Sequence, residues 1–249
     1  MRVTVLGKSP SWPDAGGACS GYLVEHEGFT LLLDCGTGVF AKLRRVCDYA
    51  DVDAVLISHM HSDHFIDLVP FSNAVAYGPR RLERPRLHLP PAGLPTLEQA
   101  AAPGGRPGLV ASAFDASEYD PARPLKLGPL EASFCPVPHF IPTNAVSLGA
   151  GSARFTFSAD CAPNEELARF AAGADLLLIE STLQEPDEYG GRGHLTATEA
   201  GDHGRRAGAR RLVLTHWSDE LDAERLRGDA QAAFAGPVAL AAENQTYSI

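Results

Sequence analysis

The chain is short of cysteine: among 249 residues there are five, Cys19, Cys35, Cys47, Cys135 and Cys161, an odd number with no Cys-x-x-Cys pair. That spacing fits free thiols in a reducing compartment better than a disulfide framework, so a cytoplasmic location is expected. Long apolar runs are missing as well. The first, Val3 to Leu6, is stopped by Gly7, and nothing longer follows. It is too short for the hydrophobic segment of a signal peptide or a membrane span, so no membrane partner is expected. Basic charge is also scarce, with 21 Lys and Arg against 31 Asp and Glu and a formal charge of −10. No basic run is long enough to grip a polyanion, which argues against a nucleic acid polymer and for a small-molecule substrate. Arg80, Arg81, Arg84 and Arg86 form one small basic patch, which reads as solvated surface.

Hydrophobic residues make up 45% of the chain, and no composition shift divides it, so a single domain over residues 1–249 is expected. Short runs rich in Val, Leu and Ile alternate with longer segments of helical period, the mark of an α/β layered architecture. Tyr22 to Glu25 and Phe29 to Asp34 flank Glu27-Gly28 as a hairpin, and Gly36-Thr37-Gly38 leads into a helix from Val39 to Val46. Further strands are expected at Asp53 to Ser58, Leu130 to Val137, Arg154 to Ser158, Leu176 to Glu180, Leu212 to Thr215 and Val238 to Ala241. Phe65, Leu68, Val69 and Ala76 mark an apolar helix face, and helices are expected at Glu165 to Ala172 and Ala223 to Phe234. From Pro79 to Pro107, prolines and glycines predict surface loops around a short strand near Leu87.

The densest chemical signal is Ser58-His59-Met60-His61-Ser62-Asp63-His64, immediately after the run Ala54-Val55-Leu56-Ile57. In an extended segment His59 and His61 project to the same side, while Asp63 and His64 fall where the chain turns into the next helix. One loop can therefore address two adjacent cations. His139, Asp160 and His216 each stand just beyond an expected strand, and open α/β sheets collect their sites at one such edge. Taken singly, a histidine of this kind is more often a satisfied structural residue. Taken with the cluster, the three are candidate ligands. His26, His88 and His203 are expected to be ordinary surface residues. A second stretch, Gly193-His194-Leu195-Thr196-Ala197-Thr198-Glu199, carries a capping box from Thr196 to Glu199, which starts a helix just after His194. Backbone amides then lie beside an imidazole that could donate a proton to a leaving alkoxide.

The pattern His59-x-His61-x-Asp63-His64 with later His139, Asp160 and His216 resembles the signature of the metallo-β-lactamase fold. The resemblance implies a four-layer αββα sandwich with His59, His61 and His139 on one ion, Asp63, His64 and His216 on a second, and Asp160 bridging them. Asp34, in Leu33-Asp34-Cys35-Gly36, would support the histidine loop from behind, against the plainer reading of a turn-forming aspartate. Nitrogen and oxygen ligands without cysteine suit Zn²⁺, and Mn²⁺ or Fe²⁺ would accept the same set. The His194 segment and Glu180-Ser181-Thr182 resemble motifs of the ribonuclease Z and phosphodiesterase branch, closest to bacterial class II-like cyclic-nucleotide phosphodiesterases. Glu180 would then orient His194, and His194, Asp63 and Glu180 become the catalytic candidates. Only twenty residues separate His139 from Asp160, leaving no room for the long arm with which ribonuclease Z grips tRNA.

The expected activity is hydrolysis of a small phosphodiester, foremost a 3′,5′-cyclic nucleotide such as cAMP, to the 5′-monophosphate. A carboxylic ester, lactone or thioester hydrolase on the same dimetal site is the alternative, and a non-catalytic metal-binding module is the second. A homodimer is common among similar proteins. Substrate choice is expected to rest on the loops 9–20 and 79–107.

Overall fold

Side chains of a strand point alternately to its two faces, and a strand apolar on both faces must be covered on both. The computed structural model, which describes residues 1–104, 106–186 and 191–249, satisfies this with two seven-stranded sheets packed face to face. The first half runs β1 (Arg2–Gly7), β2 (Gly21–His26), β3 (Phe29–Leu33), α1 (Val39–Val46), β4 (Ala54–Leu56), α2 (Ser62–Phe65), α3 (Leu68–Tyr77), β5 (Arg86–Leu89), α4 (Gly93–Ala101), α5 (Leu109–Ala113) and β6 (Asp115–Glu118). The second runs β7 (Leu125–Leu127), β8 (Leu130–Val137), β9 (Thr143–Ala150), β10 (Ala153–Phe157), α6 (Glu165–Phe170), β11 (Leu176–Glu180), α7 (Ala197–Ala207), β12 (Leu212–Thr215), α8 (Ala223–Phe234), β13 (Val238–Leu240) and β14 (Thr246–Ser248). The sheet orders are β14-β1-β2-β3-β4-β5-β6 and β13-β12-β11-β10-β9-β8-β7, each antiparallel on one side and parallel on the other.

Alternation along β3 shows how the layers arise. Leu31 and Leu33 point between the sheets, where they join Val5, Tyr22, Phe155, Phe157, Leu176 and Leu178. Leu32 points the other way, into a cluster with Val55, Leu87, Leu43 and Phe71 under the helices of the first half. The second sheet repeats the plan: Leu177, Ile179 and Leu214 face Leu167, Ala200 and Leu226 of α6, α7 and α8. Helix, sheet, sheet and helix stack in that order, the four-layer αββα sandwich of the metallo-β-lactamase fold.

Several expected elements differ. Within residues 79–107 the structure forms β5 and also α4, which starts at Gly93 and carries Pro95 in its first turn, where a missing N–H costs nothing. Residue 105 of that stretch lies outside the described residues. The strand β9 was not foreseen, because Asn144, Ser147 and Gly149 break its apolar pattern. His88 and His203 are buried, not surface residues. His88 sits on β5 with Nδ1 3.2 Å from Ser117 Oγ. His203 lies on the small-residue face of α7, where Nδ1 donates to the Glu199 carbonyl at 2.7 Å. Among the described residues no helix is long and apolar enough to cross a membrane.

The capping box at α7 is present: the Thr196 N–H donates to Glu199 Oε2 at 2.9 Å, and the Glu199 N–H reaches back to Thr196 Oγ1. Burial acts against ionised Glu199, but Arg192 and Thr196 outweigh it and hold its carboxyl below the ordinary range. A folded-state value below the unfolded one adds stability above the ordinary carboxylate range, and that stability is lost as pH falls through the lowered value. Glu199→Gln should therefore lower the melting temperature at pH 7, and the deficit should shrink as the pH is brought toward about 3. In the core, Leu31→Ala, at a position with 0% exposure between the sheets, should cost about 3 kcal/mol and lower Tm on the order of 10 °C by differential scanning calorimetry.

Candidate metal centre

Strand polarity brings the chemistry to one edge. The C-terminal ends of β3, β4, β8, β10, β11 and β12 carry Asp34, the His59–His64 loop, His139, Asp160, Glu180 and His216. Three of these ends turn through a non-glycine residue in the left-handed region: Asp34 at φ 57°, Ala159 at φ 50° and His216 at φ 54°. Such conformations cost of order 1–3 kcal/mol each and persist where the surroundings enforce them. Gly36 is required for another reason. A Cβ there would lie 1.8 Å from the Asp63 carbonyl oxygen, so only glycine lets the histidine loop close over β3.

All seven residues expected as metal ligands meet at this edge. His59, His61, His139 and Asp160 form one group, and Asp63, His64, Asp160 and His216 a second, the ligand atoms within each lying within 4.8 Å of one another. Asp160, 1% exposed, belongs to both. Its Oδ2 lies 3.8 Å from His59 Nε2, 3.8 Å from His139 Nε2 and 3.4 Å from His216 Nε2, while Oδ1 is 3.3 Å from His64 Nε2. Asp63 Oδ2 is 3.2 Å from His216 Nε2, and His61 Nδ1 is 3.0 Å from His139 Nε2.

Hydrogen bonds behind the rings fix their tautomers. His64 Nδ1 donates to Asp34 Oδ2 at 2.7 Å, and His139 Nδ1 donates to the Gly193 carbonyl at 2.8 Å. Ser58 Oγ donates to Asp34 Oδ2, so it accepts from His59 Nδ1 at 3.1 Å. Thr182 Oγ1 donates to Glu180 Oε2 and therefore accepts from His216 Nδ1 at 2.7 Å. With the four Nδ1 protons committed outward, four Nε2 lone pairs face inward, the arrangement a cation needs. His59 Nε2, His64 Nε2 and Asp160 Oδ1 are buried without a hydrogen-bond partner. Orphaned acceptors of this kind require a positive charge among them, and the donor set fits two divalent cations.

The electrostatics show the same demand for positive charge. Burial holds the His59 imidazole well below its ordinary range and lowers His61 and His139 too, whereas at His64 burial is outweighed by the facing Asp160 and Asp34 carboxylates, which raise the ring well above it. Burial also opposes ionisation of Asp160, yet the facing His216 and His64 rings outweigh it and keep the carboxyl well below the ordinary range. Asp63 behaves alike: burial is overcome by His216 and His64, and its carboxyl is lowered to about 2.

Glu180, His194 and His216 make a third group beside the first two. Glu180 Oε1 accepts from His194 Nδ1 at 3.0 Å and from the Cys161 N–H at 3.0 Å, while Oε2 accepts from the Thr182 N–H and hydroxyl. Burial works against the charged form of His194, but the hydrogen bond and charge of Glu180 prevail, and its pKa is raised. The His194 ring stacks on His216 with centroids 5.6 Å apart. Two supports were passed over in the sequence. Ser58 and Thr182 stand inside the quoted motifs, yet their hydroxyl relays depend on rotamers that spacing does not encode. A third is Lys8, whose Nζ donates to the Trp217 carbonyl at 2.9 Å while its own carbonyl accepts the Trp217 N–H, a clamp on the peptide that follows His216.

A sandwich of this topology with two such groups on one edge defines a metal-dependent hydrolase. The chain belongs to the beta-lactamase superfamily, whose domain profile matches residues 30–217. Across 245 residues it is 31% identical to YhfI of Bacillus subtilis, designated a probable metallo-hydrolase, with 97% of each chain covered. The crystal structure of YhfI superposes with a TM-score of 0.90 over 99% of both chains, at 28% identity. A ribonuclease Z of Ignicoccus hospitalis is 28% identical over 98% of this chain and 97% of its own. A diphosphatase of the PhnP family shares the fold at TM-score 0.73 and 17% identity, covering 100% of this chain and 97% of the other.

Asp34→Asn keeps the left-handed backbone, which Asn tolerates, but places an amide where one carboxylate serves Ser58 and His64. Metal affinity should fall roughly 10- to 100-fold in a chelator competition titration, with little change in circular dichroism.

Proposed function

We propose that this metallo-hydrolase cleaves a small phosphodiester, foremost a 3′,5′-cyclic nucleotide such as cAMP, to the 5′-monophosphate, with residues 1–249 acting as one catalytic domain. The observation that carries the reading is the Glu180–His194 pair. A carboxylate buried at 0% exposure holds an imidazole against His216, beside both ligand groups, where an acid for a leaving alkoxide belongs. Relatives named ribonuclease Z and a structural neighbour named a diphosphatase point to phosphorus as the reacting centre. A polymer substrate is disfavoured by the charge of −10, and the interval between His139 and Asp160 is filled by the hairpin of β9 and β10. Five thiols, all free, fit a cytoplasmic setting.

In this reading His59, His61 and His139 would hold one cation and Asp63, His64 and His216 the other, with Asp160 belonging to both groups. Divalent cations so held, zinc by preference and manganese or iron by tolerance, lower the pKa of water and draw charge from phosphoryl oxygens. His194 protonates, from Nε2, the 3′ oxygen expelled as water attacks phosphorus in line. Glu180 keeps the ring oriented through Nδ1 and stabilises its charged form.

The test is turnover of cAMP and of bis(p-nitrophenyl) phosphate by protein loaded with zinc or manganese. His194→Ala should lose roughly 10²- to 10⁴-fold in kcat for cAMP while both metals remain bound by elemental analysis. Cleavage of the artificial diester alone would reject cAMP and keep the class. Activity on lactones or thioesters, with no phosphodiester cleaved, would overturn the reading.

A further inference from the structure

Beside the ligands gathered at this edge stands one widely exposed apolar side chain. Phe140, directly after His139, is 60% exposed, the most open of the large hydrophobic side chains among the described residues, ahead of Trp12, Tyr77 and Val46. Leaving an aromatic ring in water forgoes the free energy of burying it. Its position is also fixed. The ring centroid lies 5.0 Å from that of His139 and 5.8 Å from that of His194. Gly193 makes room for it, since a Cβ there would come within 2.4 Å of Phe140 Cε2. The loop beneath is pinned on both sides: Pro138 O accepts the Ala162 N–H at 2.7 Å, and the Thr143 hydroxyl donates to Ile141 O at 3.0 Å. A rigid ring with an open side, beside the proton donor, is a pre-ordered surface for a flat partner.

We propose that Phe140 is the platform on which the base of a nucleotide substrate stacks, a specificity-determining residue for planar heteroaromatic groups; this rests on the phosphodiesterase reading above. One ribose separates base from phosphate in a nucleotide. Phe140 stands next to His139 of the first ligand group and against His194, so the base and phosphate subsites adjoin. Stacking on one aromatic side chain tolerates every base because each has a π face. The ring therefore selects nucleotides over base-free sugar phosphates without naming adenine.

Binding separates this proposal from the activity it rests on. Dissociation constants of AMP and of ribose 5-phosphate are measured by titration calorimetry on the metal-loaded wild type, Phe140→Ala and Phe140→Trp. Wild type should prefer AMP, Phe140→Ala should lose roughly 10- to 100-fold for AMP and little for ribose 5-phosphate, and Phe140→Trp should retain AMP. With cAMP, the alanine variant should show a raised KM and a kcat within a few-fold, at unchanged metal content. Equal wild-type affinity for the two ligands, or an equal loss of both in Phe140→Ala, overturns the proposal. So does a dimer that dissociates in Phe140→Ala with AMP binding intact, which would make the ring a subunit contact. An AMP preference lost in the variant, with no cAMP turnover by wild type, would keep the platform and reject the phosphodiesterase.

Discussion

Asp160 is the carboxylate on which this structure turns. It is 1% exposed, and four imidazole nitrogens point at its two oxygens. A buried ion costs several kcal/mol unless opposite charge meets it. The rings cannot supply that charge as neutral donors, because the Nδ1 protons of His59, His64, His139 and His216 are all committed away from Asp160. Lone pairs and a carboxylate thus share a dry space that only protons or cations can neutralise. The hydrolase chemistry follows from that demand, since a cation held by an incomplete protein shell is available to polarise water and substrate.

The demand propagates outward. Asp34 serves the Ser58 N–H, the Ser58 hydroxyl and His64 with one carboxylate, so a single residue at the end of β3 orients two ligand side chains at the end of β4. Glu180 does the equivalent in the other sheet, directly for His194 and through Thr182 for His216. The two sheets are stitched at this edge by the Tyr22 hydroxyl on Thr215 Oγ1, at 2.7 Å and buried. Left-handed turns at Asp34, Ala159 and His216 release each strand toward the centre, and the sandwich supplies the stability that such strain consumes.

Much of this could be read from the chain alone. Leu130–Val137, Leu176–Glu180, Leu212–Thr215 and Ala223–Phe234 were legible because their apolar periods are unbroken and turn residues bound them. The seven ligand candidates were legible because histidine is rare here and clusters after strands. What escaped has a common cause. The strand β9, the helix α4 and the burial of His88 and His203 are settled by tertiary partners: a sheet neighbour for Asn144 and Ser147, a packed face for Leu97, and backbone partners for His203. Hydroxyl relays at Ser58 and Thr182 and the placement of Phe140 likewise depend on distances between segments remote in sequence.

Asp63 and the three histidines from His59 to His64 lie in the first half of the chain, while His139, Asp160 and His216 lie in the second. Each proposed cation therefore draws on both halves. A ribosome making this protein releases the loop early, but the first group of ligands is incomplete until Asp160 has emerged, and the second until His216 has. A cation in either group would therefore act as a latch between the two halves of the chain.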